Sequence, residues 1–221
     1  VIAGVVIFKD FYFNSKIYNE VGDKSLINIW VQSEQFQSKG FVYPFIYSIK
    51  DARETELEGY DENKAIGELS AMDYKDIPSD QKVNIISIML EAYNDFSKFE
   101  NVELGIDIYE NFHQLESESI HGKLVTNIFA GGTVDTERAF LTGFNSHPKY
   151  FRNTNSFVWY LKEQGYMTHA MHPITGSFYN RRNIDEYLGF DAFDHYDNKY
   201  KFIQEAYLED LDFFDYIVEG Y

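Results

Sequence analysis

From Lys82 onward the sequence alternates short apolar runs with amphipathic stretches, and this order restricts the fold more than any other feature. VNIISIML (83–90) is a continuous apolar run of the kind expected of a strand buried on both faces, and DIYENFHQL (107–115) has helical spacing. KLVTNIFA (123–130) predicts a second strand, and TVDTERAFLTG a second helix stopped by Gly143. SFVWYLKEQG (156–165) then predicts a helix with a glycine stop, YMTHAMH (166–172) a strand, and IDEYLG (184–189) a short helix stopped the same way. Such alternation implies an α/β fold, a mainly parallel sheet with helices on both faces.

Residues 1–80 read differently. GFVYPFIYSIKD is aromatic and broken by Pro44, and YDENKAIGELSAMDYKDIPSD is acidic, with a short helical stretch closing at Pro78. This predicts an irregular arm, residues 1–80, ahead of a domain over 81–221. VIAGVVIF (1–8) is far short of the roughly 20 residues that span a bilayer, and reads either as the end of a membrane helix or as a first strand. At the other end, EDLDFFDYIVEGY predicts an amphipathic helix.

Composition removes several function classes. With 44% apolar and 18% aromatic residues among 221, the chain can bury a sizeable core. A net charge of -17 would repel a phosphate backbone, so nucleic acid is not an expected partner. The absence of cysteine excludes disulfides, thiolate metal sites and a cysteine nucleophile, and leaves the compartment open.

In parallel sheets, chemistry collects beyond the carboxyl ends of the strands. Glu91 follows VNIISIML, Thr133 follows KLVTNIFA after two glycines, and His172 ends YMTHAMH and leads to Arg181 and Arg182. Each has an ordinary explanation: a solvated carboxylate, a capping threonine, a turn histidine, a solvated arginine pair. Asp135 and Glu137 are explained as complements of a helix dipole. Together, at successive strand ends, these residues offer a carboxylate, a hydroxyl on an anion-binding turn, and an imidazole near guanidinium groups. That set suits a phosphate or sulfate ester handled with a metal.

The motifs NIISIMLEAYND, AGGTVDTERAFLTGF, LKEQGYMTHAMHPITGSFYNRR and YLGFDAF, in this order, resemble the extracellular catalytic domain of the lipoteichoic acid synthase family. Those enzymes are phosphoglycerol transferases of the alkaline phosphatase and sulfatase superfamily. The resemblance covers roughly residues 81–200, and GFVYPFIYSIKD resembles the linker that follows the family's membrane helices. It implies an alkaline phosphatase/sulfatase-like α/β/α domain, of which 81–221 would be a truncated N-terminal part. It implies Glu91 and Thr133 as metal ligands, Thr133 as the nucleophile, and His172, Tyr179 and Arg181 as the glycerolphosphate pocket. The implied cofactor is a divalent metal, manganese or magnesium. Implied partners are an anionic phospholipid headgroup and a glycolipid or teichoic acid acceptor, with the domain outside the cell membrane and anchored through segments outside this chain.

Three departures qualify what the resemblance implies. Met89 stands where known members carry histidine, and Tyr179 where many have tryptophan. No C/S-x-P-x-R pattern surrounds Thr133, which disfavours sulfate ester hydrolysis. The family's downstream Asp-His ligands have no counterpart, because Asp194-His195 belongs to the LGFDAFD strand. A chain lacking those ligands is expected to bind metal weakly and turn over little. The alternatives are a related phosphoethanolamine or phosphoglycerol transferase with another acceptor, and a noncatalytic surface module.

Overall fold

The computed structural model describes residues 8–26, 31–50, 58–72, 75–90, 93–126, 132–144, 150–202 and 209–220. The chain divides into two compact units, Val1–Gln81 with Pro148–Tyr221, and Lys82–His147. Residues 1–7, part of VIAGVVIF, lie outside the described residues.

Beyond the short helical stretch expected ahead of Pro78, which is α5, the arm is also helical where the sequence suggested irregularity. It contains α1 (residues 8–12), α2 (Ser15–Glu20), α3 (Gln32–Lys39), α4 (Val42–Ile49) and α5 (Glu62–Ser70). Local chemistry explains the starts. Asn14 Oδ1 accepts from the Lys16 and Ile17 N–H groups at α2, and Asp61 Oδ1 accepts from Lys64 N–H at α5. Pro44 lies in the first turn of α4, where its missing N–H removes no intrahelical bond, so it begins this helix rather than breaking it. Aromatic packing then joins the pieces: buried Tyr43 stacks on Phe11 at 5.2 Å, and Tyr18 stacks on Tyr47 at 3.6 Å.

In the unit Lys82–His147, α6 (Glu110–Glu118) and α7 (Thr133–Thr142) form as helices, but the described residues of the two expected strands join no ladder. Residues 83–90 enter no ladder and expose Val83, Ile85, Ile86 and Ile88 by half or more. Residues 123–126 do the same with Leu124 and Val125, and 127–130 lie outside the described residues. An apolar run signals a demand for burial, but a strand also needs an edge to pair with, and the described residues of this unit offer none. Helix α6 starts later than position 107 because Asp107 Oδ1 accepts from Tyr109 N–H, an Asx turn that holds Asp107 outside the helix. His113 on α6 sits between two carboxylates, Nε2 2.8 Å from Asp95 Oδ2 and Nδ1 2.8 Å from Asp107 Oδ2. Asp95 first, and Asp107 second, raise its pKa above the ordinary imidazole value.

The rest of the first unit holds α8 (Phe157–Glu163), β1 (His169–Met171), α9 (Arg181–Leu188), β2 (Ala192–Asp194) and α10 (Asp210–Gly220). Ser156 caps α8 by accepting from Trp159 N–H, and its hydroxyl donates to the Leu188 carbonyl, tying α8 to the end of α9. β1 and β2 pair in parallel, His169 with Ala192, Ala170 with Phe193 and Met171 with Asp194. This pair is the sheet that the described residues show, against the mainly parallel, doubly covered one expected. Leu188 and Tyr200 are fully buried, and α10 brings the rings of Phe213 and Tyr216 to 5.5 and 5.7 Å from Tyr200. Among the described residues no helix is long and apolar enough to cross a membrane.

Gly189 ends α9 with φ of +105°, and an added Cβ would lie 2.8 Å from the Trp159 ring. Gly189→Ala therefore combines left-handed strain with a clash, and should cost about 1–3 kcal/mol in urea unfolding. A loss below about 0.5 kcal/mol would show that Trp159 is not held against this turn.

Candidate active site

Three of the sequence-derived site residues meet at the carboxyl end of β1. The His172 N–H donates to Asp194 O at 2.9 Å, carrying the β1–β2 ladder one residue past its last pair. Its Nδ1 accepts from Ile174 N–H at 3.2 Å, which leaves Nε2 as the protonated nitrogen of the neutral ring. Burial, then the positive charge of Arg181, lowers the His172 pKa to about 3.

The chain returns through a turn in which Tyr179 and Asn180 both have positive φ, 53° and 58°. Neither is glycine, so each costs about 1–3 kcal/mol of backbone strain, and the surrounding structure must hold them there. The turn brings the Tyr179 ring to 5.4 Å and the Phe178 ring to 6.0 Å from the Arg181 guanidinium carbon. Arg181 opens α9 and is only 4% exposed. A cation at the first position of a helix opposes the helix dipole, and burying one is costly, so this guanidinium is kept against two electrostatic penalties. The sequence placed the start of this helix at Ile184; the left-handed pair at 179 and 180 sets it at Arg181 instead.

Other contacts brace the loop between His172 and Arg182. Gly176 lies so close to the His195 imidazole that a Cβ would come within 2.8 Å of Nε2. Its N–H donates to Asp197 Oδ2 at 3.0 Å, and its carbonyl accepts from Arg182 N–H at 2.9 Å. His195 is buried, and its Nδ1 accepts from Asp197 N–H. Asp194 contacts Lys199 and, at 3.0 Å, His169. Asp194 and His195 are thus engaged by β1, by the turn that follows β2 and by the Gly176 loop.

Asp191 was not singled out from sequence. It contacts Lys162 Nζ at 2.6 Å and accepts from the N–H and hydroxyl of Thr168, fixing the approach to β1. Lys162 first, and Thr168 after it, hold its carboxyl down to about 2. Its partners lie 23 and 29 residues away, so no local pattern marks it.

The remaining site residues belong to the other unit. Thr133 is the first residue of α7, and Gly132, with φ of +75° and no side-chain capping bond, occupies the N-cap. The threonine is therefore not the cap, and the flexible residue before it supplies the left-handed turn. Asp135 lies in the first turn of α7, as a complement to the helix dipole should. Glu91 lies outside the described residues. Among the described residues no three His, Asp or Glu side chains gather to hold a metal ion.

A model of the sulfatase family matches residues 83–219, more than half of the chain. The chain belongs to the sulfatase family. This fits an α/β domain with hydrolase or transferase chemistry in a superfamily that uses divalent metals. A protein of Rhizobium meliloti (strain 1021), named for cyclic beta-1,2-glucan modification, is 26% identical over 179 residues. The aligned region is 75% of this chain and 27% of that protein, so the chain spans about a quarter of the relative's length. No solved structure matches the chain.

The His172 environment has a direct consequence for pH. Between about 6.5 and about 3 the unfolded chain binds a proton that folded His172 refuses, so this group's contribution to stability falls as pH drops through that window. Ring-proton NMR should find His172 still neutral at pH 5, while His113 titrates above the ordinary value. A His172 midpoint near 6.5 would contradict the burial of this ring.

Proposed function

We propose that this chain carries the nucleophile and pocket residues of a phosphoglycerol transferase, which moves glycerolphosphate from phosphatidylglycerol to a carbohydrate hydroxyl. The observation that carries the reading is Thr133 directly after left-handed Gly132, at the start of α7, in a sulfatase-family domain that lacks the C/S-x-P-x-R pattern. In the first half-reaction Thr133 Oγ attacks phosphorus. The bond from phosphorus to the diacylglycerol oxygen breaks, and diacylglycerol leaves with the proton. Glycerolphosphate remains as a threonine ester. In the second, the acceptor hydroxyl attacks the same phosphorus and the threonine oxygen regains a proton.

The chain's own groups supply electrostatics for these steps. The dipole at the start of α7 favours charge developing on the phosphoryl oxygens. Arg181, backed by Tyr179, offers a fixed guanidinium for an anionic headgroup, and neutral His172 offers Nε2–H as a donor to a glycerol hydroxyl. A divalent cation, manganese or magnesium, is the proposed cofactor, with Glu91 and Thr133 as its donors from this chain. The described residues do not complete its coordination set.

For the acceptor, the relative's name favours a glucan over a teichoic acid or glycolipid. A phosphoethanolamine donor is the second reading within the same chemistry. In either case the domain would work outside a cell membrane, held there by segments outside this chain, with residues 1–80 as the arm and 81–221 as the N-terminal part of the catalytic domain.

Intact-mass measurement after incubation with detergent-solubilised phosphatidylglycerol and manganese tests the nucleophile. A longer protein continuing past Tyr221 should gain one glycerolphosphate. Thr133→Ala should gain none, and this chain alone little. Substantial labelling of Thr133→Ala would remove the threonine from the mechanism, and an adduct formed only from phosphatidylethanolamine would move the proposal to the second donor.

A further inference from the structure

His113 on α6 is held from two sides. Its Nε2 lies 2.8 Å from Asp95 Oδ2 and its Nδ1 2.8 Å from Asp107 Oδ2, so each ring nitrogen faces a carboxylate, which only accepts. A neutral imidazole has one N–H and one lone pair, and that lone pair would point at a carboxylate oxygen. Both contacts are made together only by the charged ring. The raised pKa of His113 follows from this arrangement.

The two arms are unequal. The Asp95 side chain is 6% exposed and also accepts from the Ser97 N–H and hydroxyl. The Asp107 side chain is 47% exposed, and its other bond accepts the Tyr109 N–H in the Asx turn ahead of α6. Leaving the enclosed carboxylate without a donor costs more than returning the open one to water. The single proton of a neutral ring therefore goes to Nε2, and Asp107 is the arm that loses its partner.

The charged groups nearby leave this division intact. In the turn at 95–98, Lys98 lies 3.5 Å from Asp95 Oδ2 and 2.9 Å from Glu116 on α6, a second tie between turn and helix. Glu116, ahead of Asp95, raises the Lys98 pKa above the ordinary ammonium value, so this tie keeps its charge when His113 loses its own. The Tyr109 ring stands 6.0 Å from the imidazole, Tyr93 meets Tyr109 edge-on, and His121 bears on Glu116.

We infer that charged His113 clasps residues 99–109 against α6, and that loss of its proton frees the Asp107 end of this segment while the turn at 95–98 stays attached. The clasp is complete below the unfolded imidazole value of about 6.5 and is lost as pH rises through the higher folded value. Toward acid it persists until the carboxylates take up protons, and both are held below the ordinary value, Asp95 first by Ser97 and Asp107 first by His113. The device depends on no step of the reaction at Thr133.

NMR of the whole chain between about pH 6 and about pH 9 tests the inference. The Tyr109 amide should titrate with the midpoint of the His113 ring, the Ser97 amide should not, and the neutral ring should carry its proton on Nε2. Opening is read by a glutamate-specific protease at Glu103, comparing the wild type with Asp107→Asn, in which the turn ahead of α6 keeps its acceptor. The variant should be cut about threefold or more faster than the wild type at about pH 6, and within about 1.5-fold of it at about pH 9. A Tyr109 amide that ignores the His113 titration, a neutral ring protonated on Nδ1, or a ratio of cutting rates that does not change with pH would overturn the clasp.

Discussion

Three residues of parallel pairing hold the cluster of His172, Tyr179 and Arg181 together. β1 ends at His172, and β2 ends where Asp194 accepts the His172 N–H, so the imidazole sits directly on the last rung of the ladder. A parallel pair needs a crossover between its strands, and here α9 is that crossover. Arg181 comes close to His172 because it opens this helix, and Gly189 closes the helix in time for the chain to reach β2. Asp191 then fastens the junction by engaging Lys162 and Thr168, before either strand begins its pairing. This cluster is thus a consequence of one strand–helix–strand unit.

Electrostatics within that unit points toward anion handling. A guanidinium is buried at a helix N-terminus, where the dipole disfavours it, and the neighbouring imidazole is kept neutral by burial and by that same cation. Two cations are avoided, and one fixed positive charge with a neutral donor remains. The nucleophile candidate lies in the other unit, at a helix start of matching polarity. The two halves of the proposed chemistry start from separate local devices, a left-handed glycine before Thr133 and a left-handed tyrosine–asparagine pair before Arg181.

Much of this was legible in the sequence because it is local. Gly143 and Gly189 stop helices in left-handed backbone as expected, and Gly165, also left-handed, follows α8. The motif order carried the superfamily, and His172, Tyr179 and Arg181, which the resemblance grouped, lie near one another. What was not legible is non-local. The run at 83–90 announces a need for burial, but its letters cannot supply the partner strand. Asp191 with its partners, and His113 with Asp95, join residues well apart in the chain, and no spacing rule finds them. The arm misled in the other direction, because Pro44 resembles a breaker until its place in the first turn of α4 is known.

Product analysis tests the central claim most directly. A protein extended past Tyr221 would be given phosphatidylglycerol labelled in its headgroup glycerol, a divalent cation and a cyclic glucan, and the label followed. The account predicts that label appears on the glucan with diacylglycerol released in equal amount. Free labelled glycerolphosphate without glucan product would contradict transfer and make the protein a hydrolase; labelled glucan formed equally well by Thr133→Ala would contradict the site.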